Sequence, residues 1–156
     1  MKRMIFAVLI LTLTLGLGCN RSSDSEDSGV ATLSVKNDRG EMTVKGGGEE
    51  VHFALGESGV DLPDGFPDDA PLYPGAMVAT SATTEEGYMV ALLTQTPLKK
   101  VRDFYNQELK KNGWKITLNS SLGPNGGMLR ASKDQRSQYI TFSHQAGTTT
   151  INLTVN

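Results

Sequence analysis

The chain has 156 residues, 38% hydrophobic, 21% charged and 6% aromatic, with a formal net charge of −2 and one cysteine. That length holds one compact domain and excludes two full-sized enzymatic domains, and the single cysteine excludes a disulfide within the chain. From Cys19 to Leu98 four basic residues face fourteen acidic ones, whereas from Lys99 onward nine basic face three acidic; the basic residues form no aromatic-interleaved stripe, so no nucleic-acid partner is expected.

Lys2 and Arg3 precede an apolar run from Met4 to Leu15, and small residues lead to Cys19. This is the pattern of an export signal. As a helix, residues 4–18 extend roughly 22 Å, short of the ~30 Å hydrocarbon core of a bilayer, which favours cleavage over a permanent span. Leu15-Gly16-Leu17-Gly18-Cys19 resembles the lipobox of bacterial lipoproteins, with Gly16 where a leucine is usual. The resemblance implies a signal peptide over 1–18, lipidation of Cys19 and attachment to a membrane through that N-terminal lipid.

Residues 20–30 carry one apolar side chain, Val30, so 19–30 is read as the lipidated cysteine and a flexible tether. Asp24, Glu26 and Asp27 lack the downstream glutamate of a calcium loop. Over 31–60 the alternation of Leu33 and Val35, then Met42 and Val44, around Asn37-Asp38-Arg39-Gly40 predicts a β-hairpin, with a third strand at Val51, Phe53 and Leu55. Gly46-Gly47-Gly48 leads into a strand pattern and has no following Lys-Ser/Thr, so it is no phosphate loop.

Four prolines make 56–74 an extended connector, and its Asp61, Asp64, Asp68 and Asp69 are read as solvated, not as a metal site. Residues 76–81 and 88–95 read as strands. The second is apolar on both faces, the pattern of a strand at the centre of a sheet. Thr96 as N-cap and Pro97 as first residue then open a helix over about 97–112, with Leu98, Val101, Phe104, Tyr105 and Leu109 on one stripe and Asn112-Gly113 as its stop. Trp114 to Leu118 and three further strands, over 127–133, 137–144 and 148–155, complete the chain. The fold class expected from 61–156 is α+β: an antiparallel sheet with one main helix packed on one face, preceded by the separate N-terminal hairpin.

From about Asp61 onward, Phe66-Pro67, Tyr73-Pro74-Gly75-Ala76, Val101, Phe104-Tyr105, Leu109 and Gly113-Trp114 are similar to a widespread, uncharacterised type of exported bacterial lipoprotein domain. The resemblance implies export and a single α+β domain, and carries no activity, cofactor or site residue.

His52 and His144 lie on separate strands, 92 positions apart, and form no local metal pair. Gly56-Glu57-Ser58-Gly59 lacks the last glycine and the strand-to-helix elbow of a hydrolase nucleophile. Glu85-Glu86 point to opposite faces of a strand and read as a solvated turn. Catalytic residues, metal ligands and cofactors are therefore all expected to be none. Lys99, Lys100, Lys110 and Lys111 on the helix, with Tyr73 and Tyr139, are the candidate binding surface; Trp114 is read as core.

The leading expectation is a non-enzymatic, lipid-anchored binding or adaptor module of the cell envelope, with an envelope protein or anionic envelope component as partner. Two alternatives stand beside it: a small envelope hydrolase or metal-dependent enzyme with dispersed residues, marked by a deep pocket gathering His52 or His144 with two carboxylates, and a carrier of an apolar ligand between helix and sheet, marked by a sizeable apolar cavity. Asn20, where an aspartate would resemble an inner-membrane retention signal, favours the periplasmic face of the outer membrane in a Gram-negative host, and otherwise the extracellular face of the cell membrane.

Overall fold

A computed structural model describes residues 32–36, 41–47, 49–54 and 59–156. The signal peptide, Cys19, the tether, the Asn37–Gly40 turn and the 55–58 segment lie outside the described residues. Among the described residues no helix is long and apolar enough to cross a membrane.

Nine strands of the described residues form one antiparallel sheet: β1 (Thr32–Lys36), β2 (Glu41–Gly46), β3 (Glu49–Ala54), β4 (Met77–Thr84), β5 (Gly87–Thr94), β6 (Lys115–Ser121), β7 (Gly126–Lys133), β8 (Arg136–Gln145) and β9 (Thr148–Val155). Their order is β1-β2-β3-β4-β5-β9-β8-β7-β6. The chain thus builds one meander out to the centre and crosses to the far edge through α1 (Leu98–Lys111). It then returns strand by strand until β9 closes on β5. β5 is the fifth of nine strands, the position its two apolar faces demand.

This architecture corrects the expected fold class. The structure is predominantly β, with one 14-residue helix, and the N-terminal hairpin is no separate preface: β3 pairs with β4 through His52↔Ser81 and Phe53↔Thr80, which makes β1 to β3 part of the same sheet. The amphipathic helix gives a strong local signal, whereas the β3–β4 pairing spans the whole proline-rich connector and leaves no local trace.

Alternation along the strands separates two faces. The inner face carries Val90 and Leu92, Ile151 and Leu153, Ile140 and Phe142, and Leu129 and Ala131, all buried, and α1 lies on it with Val101, Tyr105 and Leu109 fully buried. Each such aliphatic side chain contributes about 2 kcal/mol by leaving water. Aromatic edges extend this core: Tyr73 meets Phe104 at 5.1 Å, and Tyr105 meets Phe142 at 5.6 Å.

The helix begins one residue later than its sequence indicates. Pro97 is the N-cap and no side chain caps the first turn, because the Thr96 carbonyl and hydroxyl are held instead by Thr149 Oγ1 at 2.6 Å and Thr94 Oγ1 at 3.2 Å. The stop behaves as read: Gly113 has φ 81, and the Trp114 and Gly113 amides donate to Leu109 and Lys110 carbonyls, closing the last turn through a left-handed residue.

Candidate functional site

The connector lies on the inner face beside α1. The Val60 amide donates to the Val78 carbonyl at 2.9 Å, Ser81 Oγ donates to the Asp61 carbonyl at 2.8 Å, and Trp114 Nε1 donates to the Asp69 carbonyl at 2.8 Å. The Asp69 carboxylate accepts both Arg136 guanidinium nitrogens, at 2.9 and 2.6 Å, and the Lys133 ammonium at 2.7 Å. The Arg136 hydrogen bonds, joined by that of Lys133, pull the Asp69 pKa down to about 2. Asp69 is therefore a tie holding the connector to the β7–β8 turn, with Arg136 stacked 5.2 Å from the Trp114 ring.

The connector also walls a small cleft of about 210 Å³ lined by Glu50, His52, Asp61, Leu62, Pro63, Asp64 and Thr83. His52 sits between Thr43 Oγ1 and Glu50 Oε1, each at 3.1 Å. The Lys45 hydrogen bond holds the Glu50 carboxyl below the usual carboxylate range. Among the described residues, no three His, Cys, Asp or Glu side chains converge in a way that could hold a metal ion. His144 is elsewhere, its Nδ1 2.7 Å from Thr149 Oγ1 in the threonine network that fixes the β5–α1 corner.

The surface residues singled out in sequence do not form one patch. Lys99 is paired with Asp103 at 2.8 Å and Lys111 with Glu108 at 3.2 Å, Lys110 is exposed in the last turn, and Lys100 stands at the opposite end of α1. Tyr73 packs on Phe104 on the inner side. Tyr139 lies on the outer face, 40% exposed, its hydroxyl 3.4 Å from Met128 Sδ. Trp114 is core, 2% exposed.

On the inner face α1 packs Val101, Tyr105 and Leu109 against the sheet. An apolar hollow lies on the outer face. Across the outer face of β3, β4, β5 and β9 runs a groove of about 470 Å³ whose lining includes Val51, Thr80, Ala82, Met89, Ala91 and Asn152. Its floor follows from the register: Val51, Ala82, Met89 and Thr154 stand in one row across four strands, and Phe53, Thr80, Ala91 and Asn152 in the next. The small side chains Ala82 and Ala91 leave the depth, and Met89, 49% exposed, forms a rim. Farther across the same face the first row continues through Tyr139, Arg130 and Leu118 and the second through Thr141 and Met128. Sequence reasoning missed this groove, because alanines on a strand give no binding signal.

A second, open depression of about 720 Å³ wraps the end of the sheet where β5 turns into α1, lined by Gly75, Met77, Leu93, Thr94, Gln95, Thr96, Pro97, Lys100 and Thr148.

A family described as START domain-like matches residues 76–149, somewhat less than half of the chain, from the approach to β4 into the start of β9. No curated protein and no solved structure matches the chain. The similarity covers β4 to β8 and α1.

Proposed function

We propose that the protein is a lipid-anchored envelope lipoprotein, without enzymatic activity, whose folded domain binds and carries a small apolar ligand in the outer-face groove of β3, β4, β5 and β9. The groove itself carries this reading: a largely apolar surface lines a hollow of about 470 Å³ on the sheet face opposite α1, and a hollow of that size suits a small ligand. The START domain-like similarity over 76–149 supports a carrier over an adaptor. The anchor is supported by the first nineteen residues alone, where the charged start, the apolar run and Cys19 match the lipobox pattern. Two or three acyl chains on Cys19, at ~0.8 kcal/mol per buried CH₂, hold a protein stably to a bilayer. Asn20, where an aspartate would resemble an inner-membrane retention signal, favours the outer membrane in a Gram-negative host.

Two measurements test the reading. Intact mass of the protein from its own envelope is expected to begin at an acylated Cys19, with Cys19→Ala unprocessed or released; an unmodified, soluble wild type removes the anchor. A photoreactive dodecanol added to envelope vesicles holding the full chain is expected to label the 77–94 segment, displaced by excess plain dodecanol. Labelling spread over the surface, or none, removes the carrier.

A further inference from the structure

The groove and the open depression are two parts of one track. Thr80 pairs with Ala91, and both line the groove; Met77 pairs with Leu93, and both line the depression. Ala91 and Leu93 are two residues apart on β5 and point the same way. Met77 and Thr80 are three apart, which on a regular strand puts them on opposite faces; the register shift between Val78 and Thr80 inserts Ala79 and returns both to the outer face. The bulge therefore lines the two hollows up.

The track changes chemistry along its length. At the Met89 end Val51, Ala82 and Met89 stand beside Thr84, Thr154 and Glu49. At the other end it passes Leu93 and Met77 and reaches Thr94, Gln95, Thr96, Thr148 and Lys100, with no acidic side chain among the lining residues. Lys100 makes no ion pair among the described residues, whereas its neighbour Lys99 is neutralised by Asp103. From Met89 to Leu93 is four strand rises, roughly 13 Å, a span that a saturated chain of about ten carbons covers.

We propose that the ligand is a single-chain anionic amphiphile, its hydrocarbon lying in the β4–β5 groove and its head group paired with Lys100 at the β5–α1 corner. This rests on the carrier reading of the same groove and specifies what it takes. The Thr94, Thr96, Thr149 and His144 network holds the corner rigid, so Lys100 meets the head group from a fixed backbone. A carboxylate or a phosphate satisfies the same chemistry.

The test uses photoreactive dodecyl phosphate, dodecanoate and dodecanol, each below its aggregation concentration, on envelope vesicles holding the full chain. Labelling of 77–94 by the phosphate is expected to exceed that by the alcohol by roughly tenfold, the low end of what a hydrogen bond to a charged group contributes. Lys100→Gln brings the phosphate down to the alcohol's level and leaves the alcohol's unchanged, Lys100→Arg retains the preference, and Lys99→Gln has no effect. Preference for phosphate over carboxylate, or the reverse, identifies the head group. Equal labelling by charged and neutral probes, or a preference that survives Lys100→Gln, overturns the head-group site and leaves the carrier standing. Loss of alcohol labelling in Lys100→Gln also overturns it, since Lys100 then acts on the fold. Absence of labelling at 77–94 by all three probes overturns the carrier as well.

Discussion

Asp69 and Arg136 are 67 positions apart and meet as a two-pronged ion pair, Nη1 to Oδ1 at 2.9 Å and Nη2 to Oδ2 at 2.6 Å. Neither residue belongs to the sheet–helix core, yet their contact decides where the connector lies. Lys133 adds a third bond to the same carboxylate and at 2.8 Å also donates to the Asn112 carbonyl at the helix end. One carboxylate thereby joins connector, helix C-terminus and β7–β8 turn.

The pH dependence follows from the Asp69 pKa of about 2 against an ordinary 3.8. A carboxyl whose folded pKa is depressed contributes stability that is fully present above its unfolded value and lost as pH falls through the folded one. Asp69 is expected to contribute about 2 kcal/mol at neutral pH, lost between about pH 4 and pH 2. Asp69→Asn removes that contribution and flattens this limb of the stability–pH curve, read by urea unfolding at pH 7 and pH 3. An acid limb of unchanged slope in the variant contradicts the assignment.

Gln138 is fully buried on the inner face of β8, and its amide nitrogen and oxygen find no hydrogen-bond partner among the described residues. A buried polar group without a partner costs about 1–3 kcal/mol. Gln138→Leu is therefore expected to raise the unfolding free energy by about 1 kcal/mol, seen as a higher urea midpoint at unchanged slope. A fall in the midpoint shows that ordered water satisfies the amide.

The β8–β9 turn has two residues, Ala146 at φ 49 and Gly147 at φ 81. Both central positions are left-handed, as a type I′ hairpin turn requires, and alanine is poorly suited to the first. Ala146→Asn is expected to stabilise the protein by about 0.5–1 kcal/mol, measured as a shift in thermal midpoint; no shift, or a lower midpoint, counts against the turn assignment.

Ala91 forms the groove floor between Thr80 and Asn152. Ala91→Trp fills the hollow from the solvent side without touching the helix-facing core. Dodecanol labelling of 77–94 is expected to fall at least roughly tenfold, with a stability change within about 0.5 kcal/mol, as for most surface substitutions. Undiminished labelling places the ligand elsewhere.

The elements whose signals are local were legible in the sequence. The helix stripe of Val101, Tyr105 and Leu109, the Gly113 stop, Trp114 as core and the two-faced apolar β5 all depend on neighbours a few residues away. The tie of Asp69 to Arg136 was not legible, because four aspartates among prolines carry no mark of which one finds a distant arginine. Nor was the groove: Val51, Ala82, Met89 and Ala91 come together only through two strand pairings, and the bulge at Ala79 that aligns Met77 with Thr80 leaves no trace in hydrophobic alternation. The candidate surface of lysines and tyrosines failed to converge for a related reason. A helix face is local, but Tyr73 and Tyr139 belong to opposite sides of the sheet.

The strand order sets a schedule for the newborn protein. Among the described residues β9 is the last of nine strands and the only one that joins the β1–β5 meander to the β6–β8 meander. A chain synthesised from its N-terminus completes two half-sheets first, each with a bare edge at what will become the middle of the molecule. Such edges invite pairing with other chains, and the pairing that removes them is of high contact order and therefore slow. Until Thr148–Val155 arrives, the chain carries two sticky halves, and a cut ahead of Thr148 leaves it with them permanently.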